Sequence, residues 1–502
     1  MKLIQVFSVT TVASAAALMC ASAAQAVTFS GFEGTSLLDN AAYGQPFRPP
    51  DTMGAVETTQ FMETTNGTIT VYDKASGNIL QRSGAPTWWS AAGLPGGAGG
   101  DQRVLFDHHT NRWIASGFGA TGNIINIAVS DTADALGRWK STQIIGAVGT
   151  TLDYPTLAID QKGVYIGTNN FSSTGFFKGT SLFTIPKSSL FGGAPNTAGI
   201  SSFNTPYPGG SDNGFAILAA VNWGANPNNT ASVMADSRDF NAQVFYKLNG
   251  VNGPGATQTA AGYIAGAEYE AAGPARQPDG TRVVDTLGPR ISSNVVQVDD
   301  KLYSVTTVGI GVHAAVRWSV NDADTGAIID TGYIKGHGFD YYQGSIAVNE
   351  LGQAVIGFNR SGYQTEDTNG DGLADGNISF LARTFKTEAD GGLDKSGADV
   401  LFKVSGISDY HCSERVDPLP CRQRWGDYSA VTIDPTDHRS FYAIGEYTSQ
   451  WATYNIPDVG LVNRAIWNTY IGQVSFVPEP QVYAMMLLGL AVVGGVARRR
   501  RG

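Results

Sequence analysis

Short apolar runs alternate with polar turns along most of the chain, and this alternation predicts antiparallel β-hairpins. Five hairpins share one plan, in which an apolar run ends at an acidic or amide residue and a second apolar run follows the turn. The residues at these five turns are Asp107, Asp160, Asp299, Asn349 and Asp434. A weaker copy is expected at residues 211–214, before the apolar run 215–218. Long helical patterns are few, so the body of the chain is predicted to be all-β.

The spacing of these turns indicates a repeated unit. Asp107 and Asp160 are 53 residues apart, and Asp299 and Asn349 are 50 residues apart. A period of about 50 residues, with enough sequence for four strands, is typical of one blade of a β-propeller. The chain between its two terminal segments therefore predicts a β-propeller of about seven blades. The alternative is a pair of β-sandwiches.

The amino end has the three parts of a secretory signal peptide. A positive start, Met1-Lys2, precedes an apolar, alanine-rich stretch that closes on the small residues Ala24-Gln25-Ala26. We expect cleavage after Ala26, so that residues 1–26 form the signal and residues 27–476 form the mature body. The competing interpretation of this segment is a buried first helix.

The carboxyl end, residues 477–502, also has three parts. Pro478-Glu479-Pro480 comes first, an apolar run covers residues 482–497, and a cluster of arginines follows. The run of 16 residues is slightly shorter than the roughly 17–25 residues of a comfortable transmembrane helix. The positive-inside rule keeps the arginines in the cytoplasm, so a membrane helix at 482–497 would place the body outside.

These three features, in this order, resemble a PEP-CTERM sorting signal. The resemblance implies that an exosortase-type membrane enzyme recognises the tail and removes it, in a Gram-negative bacterium that makes exopolysaccharide. It also implies a transient anchor in the inner membrane, followed by a location at the cell surface or in the extracellular matrix. The alternative is an ordinary C-terminal anchor that persists. Both interpretations leave the body in contact with the membrane only through its tail.

The composition limits the classes of partner and of chemistry that we expect for this protein. The net charge is −10 and only 15% of residues are charged, whereas nucleic-acid binding needs a basic surface, so a nucleic-acid partner is not expected. Two cysteines remain after signal cleavage, Cys412 and Cys421, and in an oxidising compartment we predict that they form a disulfide. The pair His108-His109 falls in a predicted turn and is expected to face solvent. No zinc-binding histidine spacing, nucleophile elbow or P-loop lysine motif occurs.

The acidic stretch at residues 367–375 is the sharpest internal motif. Calcium takes oxygen ligands at alternating positions of a loop, with a glycine at the sharp turn. The candidate ligands in that pattern are Asp367, Asn369, Asp371, the Leu373 carbonyl and Asp375. Ile378 stands where an EF-hand has a bidentate glutamate, so the stretch resembles a dockerin-type or thrombospondin-type loop without flanking EF-hand helices. The alternative is a solvated Asp/Asn/Gly turn that uses the same residues.

Carboxylates are the remaining option for catalysis, because glycoside hydrolysis needs two carboxyl groups facing one sugar. In a propeller, equivalent positions at the start of the innermost strands converge on one face, where they would build an acidic and aromatic funnel. The weak candidates for that role are Asp51, Asp153, Asp340, Asp427 and Glu446. The alternative is that these acids cap turns while the neighbouring tyrosines pack between blades.

Four short segments of the body, 49–56, 128–134, 152–155 and 425–430, resemble a set of bacterial propeller-like exported proteins. This resemblance implies a fold and no activity. The first functional hypothesis is a non-enzymatic exported protein that binds exopolysaccharide or another surface protein, or has a structural role in the matrix. The second is a polysaccharide hydrolase or lyase that uses the funnel carboxylates. The third is a surface-layer component that assembles with calcium.

Overall fold

The structure is a computed structural model that describes residues 26–477, except for 95, 98, 210, 337, 395–396, 409–422 and 457–459. Strands hold 52% of the chain and helices 4%, which confirms the predicted all-β class. The described helices are short, and they are α1 (Leu37–Ala42), α2 (Ala85–Ala91) and α3 (Lys187–Phe191). Residues 29–474 form one compact unit. In the other unit, the Val477 amide donates to the Ala26 carbonyl at 2.9 Å.

Antiparallel meanders follow one another along the chain. After the opening strand β1 (Val27–Ser36), the first meander has β2 (Met53–Val56), β3 (Gln60–Thr64), β4 (Thr68–Asp73) and β5 (Ile79–Gly84), and the second has β6 (Arg103–Asp107), β7 (Arg112–Phe118), β8 (Ile124–Ser130) and β9 (Trp139–Ile145). The third has β10 (Thr151–Asp153), β11 (Ala158–Ile159), β12 (Gly163–Phe171), β13 (Phe177–Pro186) and β14 (Ser201–Pro206).

The fourth meander has β15 (Phe215–Asn222), β16 (Thr230–Asp236), β17 (Gln243–Asn249), β18 (Thr257–Gln258) and β19 (Gly262–Tyr263). Three short strands follow, β20 (Glu270–Ala271), β21 (Ala275–Arg276) and β22 (Arg282–Val284). The fifth meander has β23 (Val295–Val298), β24 (Lys301–Ile310), β25 (His313–Asp322) and β26 (Ile328–Ile334), and the sixth has β27 (Phe339–Val348), β28 (Gln353–Gly362), β29 (Ser379–Lys386) and β30 (Asp399–Val404). The last has β31 (Ala430–Ile433), β32 (Ser440–Ile456) and β33 (Gly460–Phe476).

The first strands of successive meanders lie side by side around a ring. β2 lies beside both β6 and β31, β11 lies beside β15, and β27 lies beside both β23 and β31. β15 and β23 pair in parallel. Every residue of β2, β6 and β15 is buried, whereas half of the residues of the outer strand β5 are exposed, so the apolar runs mark the inner strands. The last inner strand therefore meets the first, as in a propeller and not in two sandwiches.

The last meander is completed by the amino end of the body. β1 is hydrogen-bonded to β33, which gives the order β1, β33, β32, β31. The buried Glu63 carboxylate ties this strand pair to the first meander. It accepts the Thr35 amide at 3.0 Å and hydroxyl at 2.7 Å, the Tyr72 hydroxyl at 2.6 Å and the Thr469 hydroxyl at 2.5 Å. The described part of the chain thus holds seven meanders, while the number of blades stays a prediction.

The five predicted hairpins are all antiparallel strand pairs at the expected turns. The weaker copy of the turn, predicted at residues 211–214, is misplaced. In the other hairpins the turn follows the first strand, whereas residues 211–214 precede the first strand of this meander, β15. The turn that matches the others begins at Asn222, whose side chain accepts the Gly224 amide at 2.8 Å. The Asp107 carboxylate accepts the His109 amide in the same way at 3.1 Å.

Candidate functional site

The entry into each inner strand carries a repeated backbone feature that brings acidic and aromatic side chains together. Five residues at these entries have a left-handed φ near 50°, which non-glycine residues rarely adopt, and each lies six positions before the acidic or amide residue at its turn. They are Asp51, Asp101, Tyr154, Ala216 and Gln343. Tyr428 stands at the same distance before Asp434. One end of the ring is therefore lined by one such residue from each of these meanders.

The carboxylates of Asp51 and Asp101 are hydrogen-bonded to groups from the last meander. Asp51 is 3% exposed and accepts the Asp427 amide at 2.7 Å and the Asn66 side-chain amide at 2.5 Å. Asp101 accepts the Tyr428 hydroxyl at 2.8 Å. These bonds join the first and second meanders to β31, so they fix the walls of this end.

A guanidinium and two tyrosine rings complete this acidic end, which we define as Asp51, Asp101, Asp153, Asp427, Arg424 and the tyrosines beside them. Arg424 donates to Asp427 at 2.8 Å. The Tyr154 and Tyr428 rings lie 5.0 Å apart, and the buried Arg103 guanidinium lies 3.7 Å from the centre of the Tyr428 ring. Asp153 is exposed, so the end meets solvent through this residue.

Removal of the carboxyl groups from water and their mutual repulsion favour the protonated form of Asp51, Asp101 and Asp153. Burial, and then the charges of Asp427 and Asp101, raise the pKa of Asp51 well above its usual value. Burial, followed by the charges of Asp427 and Asp153, raises the pKa of Asp101 to about 7. The pKa of Asp153 is raised by partial removal of its carboxyl group from water and then by the charge of Asp427, although the residue as a whole is exposed. Perturbed carboxylates that face one another are common at functional sites and also occur in structural clusters.

The other predicted carboxylates have different surroundings. Asp340 lies on β27 and is held by Arg276, whose guanidinium donates to it at 2.8 Å, and by the Ala314 amide at 2.9 Å. Glu446 is buried on β32 directly behind the entry to β31. A Cβ atom on Gly426 would clash with the Glu446 carboxylate, which explains the glycine beside Asp427.

The sequence interpretation missed Asp101 and Arg424 and found Asp51, Asp153 and Asp427. Asp101 follows a glycine-rich loop that hides the start of its strand. It could have been found from the step of six residues to Asp107, because Asp51 stands six residues before Glu57. No comparable pattern marks Arg424.

The predicted calcium loop lies between β28 and β29. Asp367 accepts the backbone amides of Gly370 at 2.7 Å and Gly372 at 2.8 Å, and Asp375 accepts the Thr368 hydroxyl at 2.7 Å. The oxygen donors are of the right kind for calcium, but in this arrangement they face the loop's own donors. In the described ranges, no group of three or more histidine, cysteine or acidic residues is placed to hold a metal ion.

The disulfide predicted between Cys412 and Cys421 lies outside the described residues, as do residues 1–25, Pro478-Glu479-Pro480 and the apolar run 482–497. Across the residues that are described, no helix has the length and apolar character needed to cross a membrane.

No curated protein matches this chain. Among solved structures, Hsv2 from Kluyveromyces lactis is similar at 9% identity, with a TM-score of 0.37, over 82% of this chain and 96% of that one. The WD40 domain of SCAP from fission yeast has 9% identity and a TM-score of 0.34, over 89% and 98% of the two chains. A GH43 β-1,3-galactosidase has 11% identity and a TM-score of 0.31, over 67% and 71%.

Residues 476–501 match the model of the PEP-CTERM protein-sorting motif. This motif directs exported proteins to exosortase, which confirms the resemblance seen in the Pro478-Glu479-Pro480 tail. The strand topology supports a propeller-like body, because inner strands arranged in a ring are characteristic of a propeller. The chain is therefore an exported protein with a propeller-like body and a PEP-CTERM sorting motif at residues 476–501.

Proposed function

We propose that the body is a non-enzymatic glycan-binding propeller that holds exopolysaccharide at its acidic end. The observation that carries this proposal is the convergence of Asp51, Asp101, Asp153 and Asp427 beside Arg424, with Asp51 and Asp101 already fixed by hydrogen bonds. A prearranged set of carboxylate, guanidinium and phenol groups suits the hydroxyl groups of a sugar chain, because each sugar hydroxyl both donates and accepts.

Binding is favoured over cleavage because two of the acids are used by the fold. Asp51 accepts hydrogen bonds on both carboxylate oxygens and is 3% exposed, so it does not reach a substrate. Asp153 is exposed, and Asp101, Arg424 and Asp427 are partly exposed. Asp101 is bonded to the Tyr428 hydroxyl, and Arg424 and Asp427 are bonded to each other. These groups can hold a polar chain by hydrogen bonds without a free pair of carboxylates.

One observation favours the alternative, a polysaccharide hydrolase or lyase. The pKa of Asp101 is raised to about 7 beside the arginine-paired Asp427. A protonated carboxyl group next to a second carboxylate is the arrangement that glycosidases use for a general acid and its partner. The two proposals differ in whether the glycan is changed.

The experiment combines calorimetric titration of the purified body with exopolysaccharide from a producing strain and an assay for new reducing ends and unsaturated products. We expect heat of binding, no products, and an affinity at least about tenfold lower after Asp153→Asn together with Asp427→Asn, since hydrogen bonds to charged groups are each worth about 1.5–3 kcal/mol. Asp131→Asn is the matched control, because this carboxylate is partly exposed and paired with Lys140.

Products that disappear after Asp427→Asn would establish the hydrolase or lyase instead. Unchanged binding in the Asp153→Asn, Asp427→Asn double variant would move the glycan site elsewhere on the body. An absence of both heat and products would reject both proposals and leave the structural role in the matrix.

We also propose that the body is held at the inner membrane until the tail is removed, and is then released to the cell surface. The sorting motif supports this order of events. Replacing Pro478, Glu479 and Pro480 with alanine should leave the full-length protein in the membrane fraction, whereas the parent chain should be shortened and leave it. Release of the alanine variant at the parent rate would contradict the proposal.

Calcium binding at residues 367–375 is a separate proposal, supported by the spacing of the oxygen donors. Because Asp367 bonds its own loop amides, a calcium ion would have to replace those contacts. We expect calcium to release heat and raise the melting temperature, and we expect Asp367→Ala with Asp371→Ala to abolish both effects. Asp73→Ala, in another Asp-closed turn, is the control. Absence of heat with the parent chain would dismiss the proposal.

A further inference from the structure

A cavity lies at the opposite end of the inner strands from the acidic end. It has a volume of about 530 Å³ and is surrounded by the turns that follow β2, β6, β15, β23, β27 and β31. Six meanders contribute to it, and its size is within the usual range for a small-molecule site. Nothing described above uses this cavity, and we call it the histidine pocket after His108, His109 and His438 in its wall.

One wall of the histidine pocket is aromatic. The His108 ring is stacked on Trp223, with 4.1 Å between ring centres and 12° between planes, and it lies 6.0 Å from Phe106. Burial, and then the charge of His438, lower the pKa of His108 to about 4. At neutral pH this wall is therefore uncharged, and the stacked pair offers a ligand only its outer surface, because the inner faces of the two rings cover each other. The expectation that His108 faces solvent is wrong, because the ring is stacked and partly buried.

The polar part of the lining begins beside the aromatic wall, where the His438 ring lies 6.4 Å from the His108 ring, and it carries no free cation among the described residues of the lining. The His438 imidazole is hydrogen-bonded to the Glu350 carboxylate at 2.5 Å, and both side chains are exposed. Asp299 adds a second carboxylate, and Gln297 donates its side-chain amide to the Asp299 backbone carbonyl at 2.9 Å. Two carboxylates in the lining disfavour an anion such as phosphate or a uronic acid, because like charges repel across a partly dry site.

We propose that the histidine pocket binds one neutral sugar unit, with the apolar face of the sugar ring against the outer surface of the stacked Trp223–His108 pair and the hydroxyl groups against Glu350 and the amides near Asp299. An amphipathic ring matches both walls at once, because an aromatic surface accepts an apolar face and carboxylates accept hydroxyl donors. A pocket closed by six turns suits the end of a chain or a free sugar. The inference is independent of glycan binding at the acidic end.

The test uses the whole body, saturation-transfer NMR and calorimetry, with glucose, galactose and mannose as neutral probes and glucosamine and glucuronic acid as charged probes. We expect a neutral sugar to bind, and Trp223→Ala to lower its affinity about tenfold or more, as for a buried aromatic contact. Glu350→Gln should lower the affinity several-fold and leave the fold intact, because this side chain is exposed. Trp451→Ala, at an exposed tryptophan on β32, should change nothing.

Three results would overturn the inference. They are the absence of binding by every neutral sugar, binding of glucosamine alone, and neutral-sugar binding that neither Trp223→Ala nor Glu350→Gln weakens. The double variant Asp153→Asn, Asp427→Asn separates the two proposals. A sugar whose binding is lost only in that double variant belongs to the acidic end, so the inference fails while the proposed function stands. A sugar whose binding is lost only in Trp223→Ala and Glu350→Gln belongs to the histidine pocket. In that case the inference stands and the proposed function fails.

Discussion

The two ends of the inner strands use the same repeat in opposite ways. At the acidic end, side chains bond across meanders, as Asp51 does to the Asp427 amide and Asp101 to the Tyr428 hydroxyl. At the histidine pocket, the acidic turn residues first close their own turns, as Asp107 does with the His109 amide, and bonds between meanders come from neighbouring groups, as from Lys74 to Asp434 at 3.1 Å. One end is therefore joined by carboxylates that stand before the inner strands, and the other encloses a cavity among turns that its acidic residues close.

The difference follows from where the polar group stands relative to its strand. A residue with a left-handed φ before the strand directs its side chain away from its own strand and towards the neighbouring meander. An aspartate after the strand accepts an amide two residues later and closes a tight turn. The residue between this side chain and the amide that it accepts, such as His108 or Trp223, lines the cavity.

The largest expected effect comes from Arg103, which lies 1% exposed among the groups that join the acidic end. Its Nε donates to the Pro155 carbonyl at 2.9 Å and its guanidinium covers the Tyr428 ring. Arg103→Ala should lower the free energy of unfolding by about 3 kcal/mol, because it opens a cavity and leaves a buried carbonyl without its donor. Urea denaturation measures the change.

Arg138→Ala is the control for this change, because its side chain is 76% exposed. Its effect should stay within about 0.5 kcal/mol. An equal decrease in the free energy of unfolding in Arg103→Ala and Arg138→Ala would mean that Arg103 does not join the meanders at the acidic end.

The next effect depends on pH. The pKa of Asp101 is raised to about 7 in the folded protein, so between its unfolded value near 4 and pH 7 the folded state binds more protons. Stability contributed by this group is therefore present at low pH and lost as the pH rises to 7. Asp101→Asn keeps an acceptor for Tyr428 and a residue type that tolerates a left-handed φ.

We expect Asp101→Asn to raise the free energy of unfolding at pH 8 by about 1–3 kcal/mol and to have little effect at pH 4. Denaturation midpoints at the two pH values measure this. Asp131→Asn is the control with the opposite sign, since the hydrogen bond from Lys140 lowers the pKa of that carboxyl. An equal effect of Asp101→Asn at both pH values would show that the acid is not held protonated.

The sequence predicted structure that neighbouring segments form, and it missed contacts that form only when the ring of inner strands closes. Alternation and turn residues predicted the hairpins because each is formed by neighbouring segments. The step from Asp160 to Asn222 is 62 residues, not 53, so the period misplaced the turn that carries Trp223. The sequence analysis grouped Asp340 with the funnel carboxylates. The repeat period does not predict the inserted strand β21, which carries Arg276, the partner of Asp340.

The convergence of the inner-strand entries follows from the propeller arrangement, whereas a catalytic role for the acidic funnel stays a prediction. Its hydrogen bonds could not be predicted, since the Asp427 amide reaches Asp51 only when the last meander lies against the first. The histidine pocket was missed for the same reason, since its walls come from turns that are far apart in the chain.

The smallest expected effect is at the histidine pocket, where the Glu350 and His438 side chains are 60% and 44% exposed. An exposed ion pair adds little to stability, because water and salt screen it and two side chains must be ordered. Glu350→Gln should therefore change the free energy of unfolding by less than about 0.5 kcal/mol. A loss comparable with that of Arg103→Ala would mean that this end is also a structural joint, and the contrast between the ends would fail.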